Sequence, residues 1–240
     1  MPLLALKSFN FIYSAKYLFE IFTDCLVESL SSKNAFLISY SLCFLHRLIC
    51  QLKGQRIESP NCTLFNLLTS AAISLPIQSI RLNTICLLNS YIRLLTPRGL
   101  YSLLLQTLPE ADVKVLAFII PQAKNLIISD TELNLELLWN VLTKIPVGLG
   151  DVANNIDRLL PTLNLFRAAK LAGKCPEEFE DKIEKYLTFI EGEIVEGRNY
   201  YQMEIQKSKN SKKSEFFENA VTQVDLVYSI LQIVKKLFDQ

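Results

Sequence analysis

The sequence predicts an all-α protein assembled from stacked helices, and three observations carry that expectation. Apolar residues recur at three- and four-residue spacing through "AKYLFEIFTDCLVESL", "NAFLISYSLCFLHRLICQL" and "IRLNTICLLNSYIRLL", which places them on one face of a helix. Period-two alternation, the mark of a half-buried strand, is almost absent, and seven glycines are few for hairpin turns. Six of the nine prolines stand between the helical runs, at "ESPNC", "SLPIQ", "LTPRG", "TLPEAD", "KIPVGLGD" and "KCPEEFED". Proline lacks an amide donor and clashes with the preceding turn, so these stretches read as junctions.

Taken in order, the junctions delimit about nine or ten helices, many of about 12–20 residues. Short links make successive helices antiparallel, and stacked antiparallel pairs form an irregular HEAT- or armadillo-like helical-repeat solenoid. A compact bundle without repeats is the structural alternative, since no consensus motif recurs at a fixed period. Thr96, before Pro97, is placed to cap a helix, as is Asp130 or Thr131 before "ELNLELLWNVL". Pro121 and Pro161 fall inside periodic segments, so each kinks a helix or starts a new one. "PVGLGD" reads as a turn before the next helix.

Beyond Pro176 the chain changes character. A long helix opens on acidic residues and closes on lysines, each sign favourable at that end of the helix dipole. Its apolar stripe runs Phe179, Ile183, Tyr186 with Leu187, Ile190, Ile194, Gly197, Tyr201 and Ile205. Gly197 leaves a gap in that stripe through which a neighbouring helix can approach. The last helix carries Phe217, Val221, Val224, Tyr228, Leu231, Val234 and Phe238, and "KSKNSKKSE" between the two reads as a flexible loop. The expected organisation is one continuous domain, with irregular repeats over 1–175 and a long C-terminal helix pair over 176–240 packed on them.

Composition narrows the function. A net charge of +1 argues against bulk affinity for nucleic acid or an acidic membrane, and the lysines of "KSKNSKK" are too few to change that. Charge is uneven, with roughly one residue in seven charged before Gly150 and one in three after it. No apolar run reaches the ~18–20 residues of a membrane span. The start "MPLLALKSFNF" lacks a basic region and a small-residue cleavage site, so six scattered cysteines read as buried, reduced thiols of a cytoplasmic protein rather than disulfides.

Chemistry-bearing motifs are sparse. The one histidine, His46, has Cys43 three residues before it, but two ligands do not make a zinc site, and a partly buried helical histidine is expected. Glu177, Glu178, Glu180 and Asp181 read as a solvated first helical turn rather than metal ligands. Trp139 reads as core. No phosphate-cradling glycine loop or catalytic triad emerges, so neither enzyme activity, cofactor nor metal is expected.

One set of segments does carry a resemblance. "GRNYYQMEIQKS", followed after a polar loop by "VTQVDLVYSILQIVKKLFD", resembles the C-terminal end of the glomulin family, which includes the plant lateral-root-formation and fungal YAP-binding proteins. "SIRLNTICLLNSYIRLL", "LYSLLLQTLPEADVKVLAFIIPQAKNLI" and "ELLWNVLTKIPVGLGDVANNIDRLLPTLNLFRAAK" precede it in the family's order, so the resemblance covers roughly residues 76–240. It implies a non-enzymatic helical-repeat protein that binds the RING-box subunit of cullin–RING ubiquitin ligases through its C-terminal repeats and blocks docking of the charged E2. The matching positions are Asp157, Arg158, Leu163, Asn164, Arg167, Arg198, Tyr201, Glu204, Ile205 and Asp225, with Tyr201 the clearest candidate for a brace between helices. The fungal name suggests instead a general scaffold for another partner, such as a stress-response transcription factor. Two departures accompany the match: the chain starts where a family member is already well into its repeats, and the loop before the last helix is short.

Overall fold

The computed structural model describes residues 14–32, 34–52, 54–129, 132–143, 152–208 and 211–239. Among the described residues the protein is all-α: ten α-helices, two 3-10 turns and no strand. It divides into two compact units, Met1–Thr107 and Leu108–Gln240.

The first unit contains α1 (Ala15–Ser31), α2 (Ala35–Gln51), α3 (Cys62–Ser74), α4 (Gln78–Leu94) and α5 (Pro97–Thr107). Polar residues start most of them. The side chains of Ser14, Asn34 and Asn61 accept hydrogen bonds from the otherwise orphaned amides of Tyr17, Phe36 and Leu64. Thr96 caps α5 as its position before Pro97 predicts, its hydroxyl accepting from the Gly99 amide at 3.0 Å. Helix α1 packs on α2 and α3 on α4; α1 also meets α3, and α2 meets α4. Leu45, Leu48, Leu64, Phe65, Leu68 and Leu88 lie fully buried among them. Full burial of each such side chain contributes about 1.5–3 kcal/mol. The aromatic pair Phe19–Tyr91 stacks with centroids 6.1 Å apart, joining α1 to α4.

Two proline junctions are tied to each other. The Ile57 amide donates to the Leu94 carbonyl at 2.8 Å, and the Thr96 amide donates to the Ile57 carbonyl at 2.9 Å. This parallel bridge between Ile57 and Leu95 pairs "ESPNC" with "LTPRG". The Asn61 amide donates to the Tyr91 hydroxyl at 3.0 Å, anchoring the start of α3 to α4 as well. Burial pushes the Tyr91 phenol up to about 12, so it stays neutral.

The second unit contains α6 (Val113–Ile128), α7 (Glu136–Leu142), α8 (Ile156–Leu171), α9 (Glu177–Lys207) and α10 (Ser211–Phe238), with 3-10 turns at Leu108–Glu110 and Ala153–Asn155. Helix α6 packs on α8, α8 on α10, and α10 along α9. Pro121 and Pro161 start no new helix: α6 and α8 continue through them, each losing one i to i−4 hydrogen bond. Helix α8 ends on Gly173 at φ 62°, whose amide donates to the Lys170 carbonyl while Lys174 donates to that of Ala169. That reciprocal closure requires a left-handed residue, which glycine adopts without a Cβ clash. The capping candidates Asp130 and Thr131, and the "PVGLGD" turn, lie outside the described residues; α7 instead takes a bond from the Glu136 amide to Asn134 Oδ1.

The long pair buries heptad-spaced stripes. Helix α9 places Ile183, Leu187, Ile190, Ile194 and Tyr201 inward, and α10 places Phe217, Ala220, Val224, Val227, Leu231, Val234 and Phe238. The inward positions on α10 therefore include Ala220 and Val227 rather than Val221 and Tyr228, which are half-buried. The expected loop over "KSKNSKKSE" is shorter than its composition suggests. Helix α9 runs to Lys207 and α10 begins at Ser211, so Lys212 and Lys213 are helical. Lys213 lies over the Phe217 ring at 5.7 Å, which favours continuing the helix back to that point.

The cysteines also depart from expectation. All six are free, but Cys25, Cys43, Cys50 and Cys86 are exposed and Cys62 and Cys175 half-buried. Five of them lie on helices, beside rather than within the buried stripe, and Cys175 lies in the link between α8 and α9. His46 is exposed as well, 3.7 Å from Cys50 Sγ. Trp139 is core, stacked on Phe179 at 6.1 Å.

Candidate functional site

The candidate partner-binding residues expected from the resemblance fall on α8, α9 and α10, and burial sorts them. On α8 the inward face carries Leu159, Leu163 and Phe166. Asp157, Asn164 and Arg167 are spaced seven and three residues apart, so they share the opposite face and are exposed. A carboxylate, an amide and a guanidinium thus form one accessible row, which ends beyond Arg167 at the exposed Leu171.

Arg158 points the other way. It is 4% exposed, an unusual place for a guanidinium. Its charge acts on Tyr186 of α9: burial pushes that phenol up to about 12, and the Arg158 cation partly opposes the rise. The Tyr186 ring meets Phe166 edge-on at 5.7 Å, so Arg158 belongs to the α8–α9 seam.

Arg198 and Asp225 bind each other across α9 and α10. Arg198 Nε lies 2.8 Å from Asp225 Oδ1, and Nη2 donates to Oδ2 at 3.4 Å. Both ends stay accessible, so the fork is fixed in direction yet open to solvent. Glu204 is half-buried and pairs with Lys207 at 3.3 Å, and Ile205 beside it is also half-buried.

Tyr201 is buried at 4% exposure. Its ring stacks on Phe217 of α10 at 6.2 Å, and its hydroxyl accepts from the Ala153 amide at 3.4 Å. It is a brace holding α9, α10 and the 3-10 turn before α8. Gly197, one turn earlier, faces Val152 of that same segment: a Cβ there would lie 3.0 Å from Val152 Cγ2. The gap in the stripe thus admits a side chain from the entry to α8 rather than a helix.

Two exposed rings that the sequence analysis does not single out flank the Tyr201–Phe217 stack. Tyr200 contacts Tyr201 at 5.5 Å, and Phe216 contacts Phe217 at 5.5 Å, yet Tyr200 and Phe216 are themselves 52% and 65% exposed. Met203, also on α9, is exposed too. The signal available in the sequence was the aromatic pair on each helix: one ring of each must leave the seam when its neighbour enters it. The second unit therefore presents charged and amide groups on α8, a carboxylate–guanidinium fork between α9 and α10, and exposed aromatic rings near their connection. Such a mixture suits recognition of a protein surface, where aromatic anchors sit within a polar rim.

Among the described residues no three His, Cys, Asp or Glu side chains group as metal ligands. No helix among them is long and apolar enough to cross a membrane. Glu180, in the first turn of α9, pairs with Lys170 at 2.7 Å. No protein-family profile matches the sequence, and no curated protein matches it significantly.

Proposed function

We propose that the protein is a non-enzymatic, irregular HEAT-like helical-repeat protein that binds the RING-box subunit of a cullin–RING ubiquitin ligase and inhibits ubiquitin transfer. The observation that carries this reading is the ordered set of family-like segments from "SIRLNTICLLNSYIRLL" to the last helix. The pairing of α1 with α2 and α3 with α4, with the first hairpin meeting the second, supports the repeat element of the reading.

The mechanism is competition. A RING surface that recruits an E2 exposes apolar side chains, and the rings of Tyr200 and Phe216 are available to cover them. Asp157, Asn164 and Arg167 supply directional contacts from α8, and Arg198 offers a guanidinium already oriented by Asp225. A specific interface of this kind buries about 1,200–2,000 Å² in total. E2 and this protein then cannot occupy one surface together. Zinc belongs to the partner, and the cytoplasm is the compartment where the two meet.

The test uses a purified cullin–RING-box pair in a pull-down, together with a ubiquitin-chain assay. Binding with loss of chain formation is expected. Replacing Asp157, Asn164 and Arg167 together with alanine should weaken binding at least about tenfold without lowering the melting temperature. No binding, or binding that leaves E2 discharge untouched, overturns the reading.

A further inference from the structure

The first unit holds a surface that the reading above does not use. Between α2 and α4 lies an open cavity of about 430 Å³, lined from α2 by Leu42, Cys43 and His46 and from α4 by Ile80 and Cys86. Beside it a second depression of about 320 Å³ is lined by Phe36, Tyr40 and Phe44. Ser39, Cys43 and Arg47 line both, so this row of α2 stands as a ridge between two mainly apolar hollows. Phe36, at the head of the row, is 76% exposed. A ridge flanked by grooves is the relief into which the side chains of another helix pack.

Charge indicates what that helix carries. Between Glu28 and Glu110 the sequence holds one carboxylate, Glu58, against seven lysines and arginines. Arg47, the one residue of permanent charge lining the two hollows, has no carboxylate within ion-pairing distance among the described residues. Other arginines of the unit turn to backbone instead: Arg81 donates to the Leu75 and Pro76 carbonyls, and Arg56 to that of Arg93.

We infer that the α2–α4 face binds an acidic amphipathic helix of a partner protein, its apolar residues filling the two hollows and a carboxylate pairing with Arg47. From Phe36 to Arg47 the row spans about three helical turns, which sets the length of the occupant. This is helix-in-groove recognition, in which anchors at three- and four-residue spacing give affinity and a flanking charge selects the partner.

The probe is a fluorescein-labelled, hydrocarbon-stapled peptide of four turns, with leucine and phenylalanine on one face and glutamate on the other. A counterpart carries lysine for every glutamate. The acidic peptide is expected to bind the intact protein with an affinity that falls as salt rises. It should slow maleimide alkylation of Cys43 and Cys86, which are exposed on the cavity, and leave exposed Cys25 unaffected. Arg47→Glu should weaken the acidic peptide about tenfold and strengthen the basic one. Absence of binding, equal binding of both peptides, equal protection of Cys25, or indifference to Arg47→Glu overturns the inference. Sedimentation of the protein alone distinguishes the remaining occupant: self-association abolished by Arg47→Glu assigns the face to a second copy and overturns it too.

Discussion

The α-carbon of Gly99 sits against the carbonyl oxygen of Ile57, so close that a Cβ at position 99 would lie 2.7 Å from that oxygen and 3.0 Å from the oxygen of Glu58. Both obstacles are backbone, held by the Ile57–Leu95 bridge, and cannot swing aside. Gly99→Ala gains about 1 kcal/mol in helix propensity. The clash should exceed that gain, for a net loss of about 2–3 kcal/mol by urea denaturation. Unchanged stability would show that the two junctions are not paired.

Gly197 offers the opposite case, since its obstacle is the side chain of Val152. Gly197→Ala should be more favourable in a Val152→Ala background than in the native one by at least about 0.5 kcal/mol. A double-mutant cycle measures the difference, and strict additivity refutes the contact.

Tyr201 and the α8 row should separate cleanly in stability measurements. Tyr201→Ala removes a buried ring stacked on Phe217, with an expected loss of about 3–5 kcal/mol. Asp157→Ala, Asn164→Ala and Arg167→Ala act on exposed side chains, and each should stay within about 0.5 kcal/mol of the native protein. Thermal melts of the four variants decide this.

The pairing of Glu191 with Lys235 and Gln232 links α9 to α10 and depends on pH. Hydrogen bonds from Lys235 and then Gln232 hold the Glu191 carboxyl below its ordinary value of 4.5. Folding therefore gains from this group above pH 4.5, and the gain fades as pH falls through the lower, folded-state value. Glu191→Gln should be less stable than the native protein at pH 7, with the gap closing in acid. A gap independent of pH would refute the linkage.

Cys175 should be the slow thiol. Burial, reinforced by the nearby Glu180 carboxylate and only partly offset by Lys170, pushes it up to about 11. Its thiolate fraction at pH 8 is then about a hundredfold below that of an ordinary cysteine, and alkylation should lag behind that of Cys25, Cys43, Cys50 and Cys86. Mass spectrometry of a maleimide time course gives the order.

Much of the fold was legible because helix formation is local. The stripe on α9 from Phe179 to Tyr201, the Thr96 cap before Pro97 and the junctions at Pro60, Pro76 and Pro176 all depend on residues within one or two turns. The α10 stripe was legible only in part, since three-then-four and four-then-three spacings are equally helical and only the packing of the opposing helix selects Ala220 and Val227 over Val221 and Tyr228. Candidate residues were less legible still. Neighbours in sequence such as Asp157 and Arg158 have opposite fates, and nothing in their residue types says which will turn inward.

By itself, then, the order of amino acids determined that the chain is helical, roughly where each helix begins and ends, and which face of the long C-terminal helices is apolar. Only tertiary structure decided that Ile57 meets Leu95, that Arg158 is buried, that four of the six cysteines are exposed, and that Arg47 stands between two hollows. The reason is range. A helix closes its hydrogen bonds four residues away, whereas burial and pairing depend on segments tens of residues distant, whose approach is set by the packing of every helix between them.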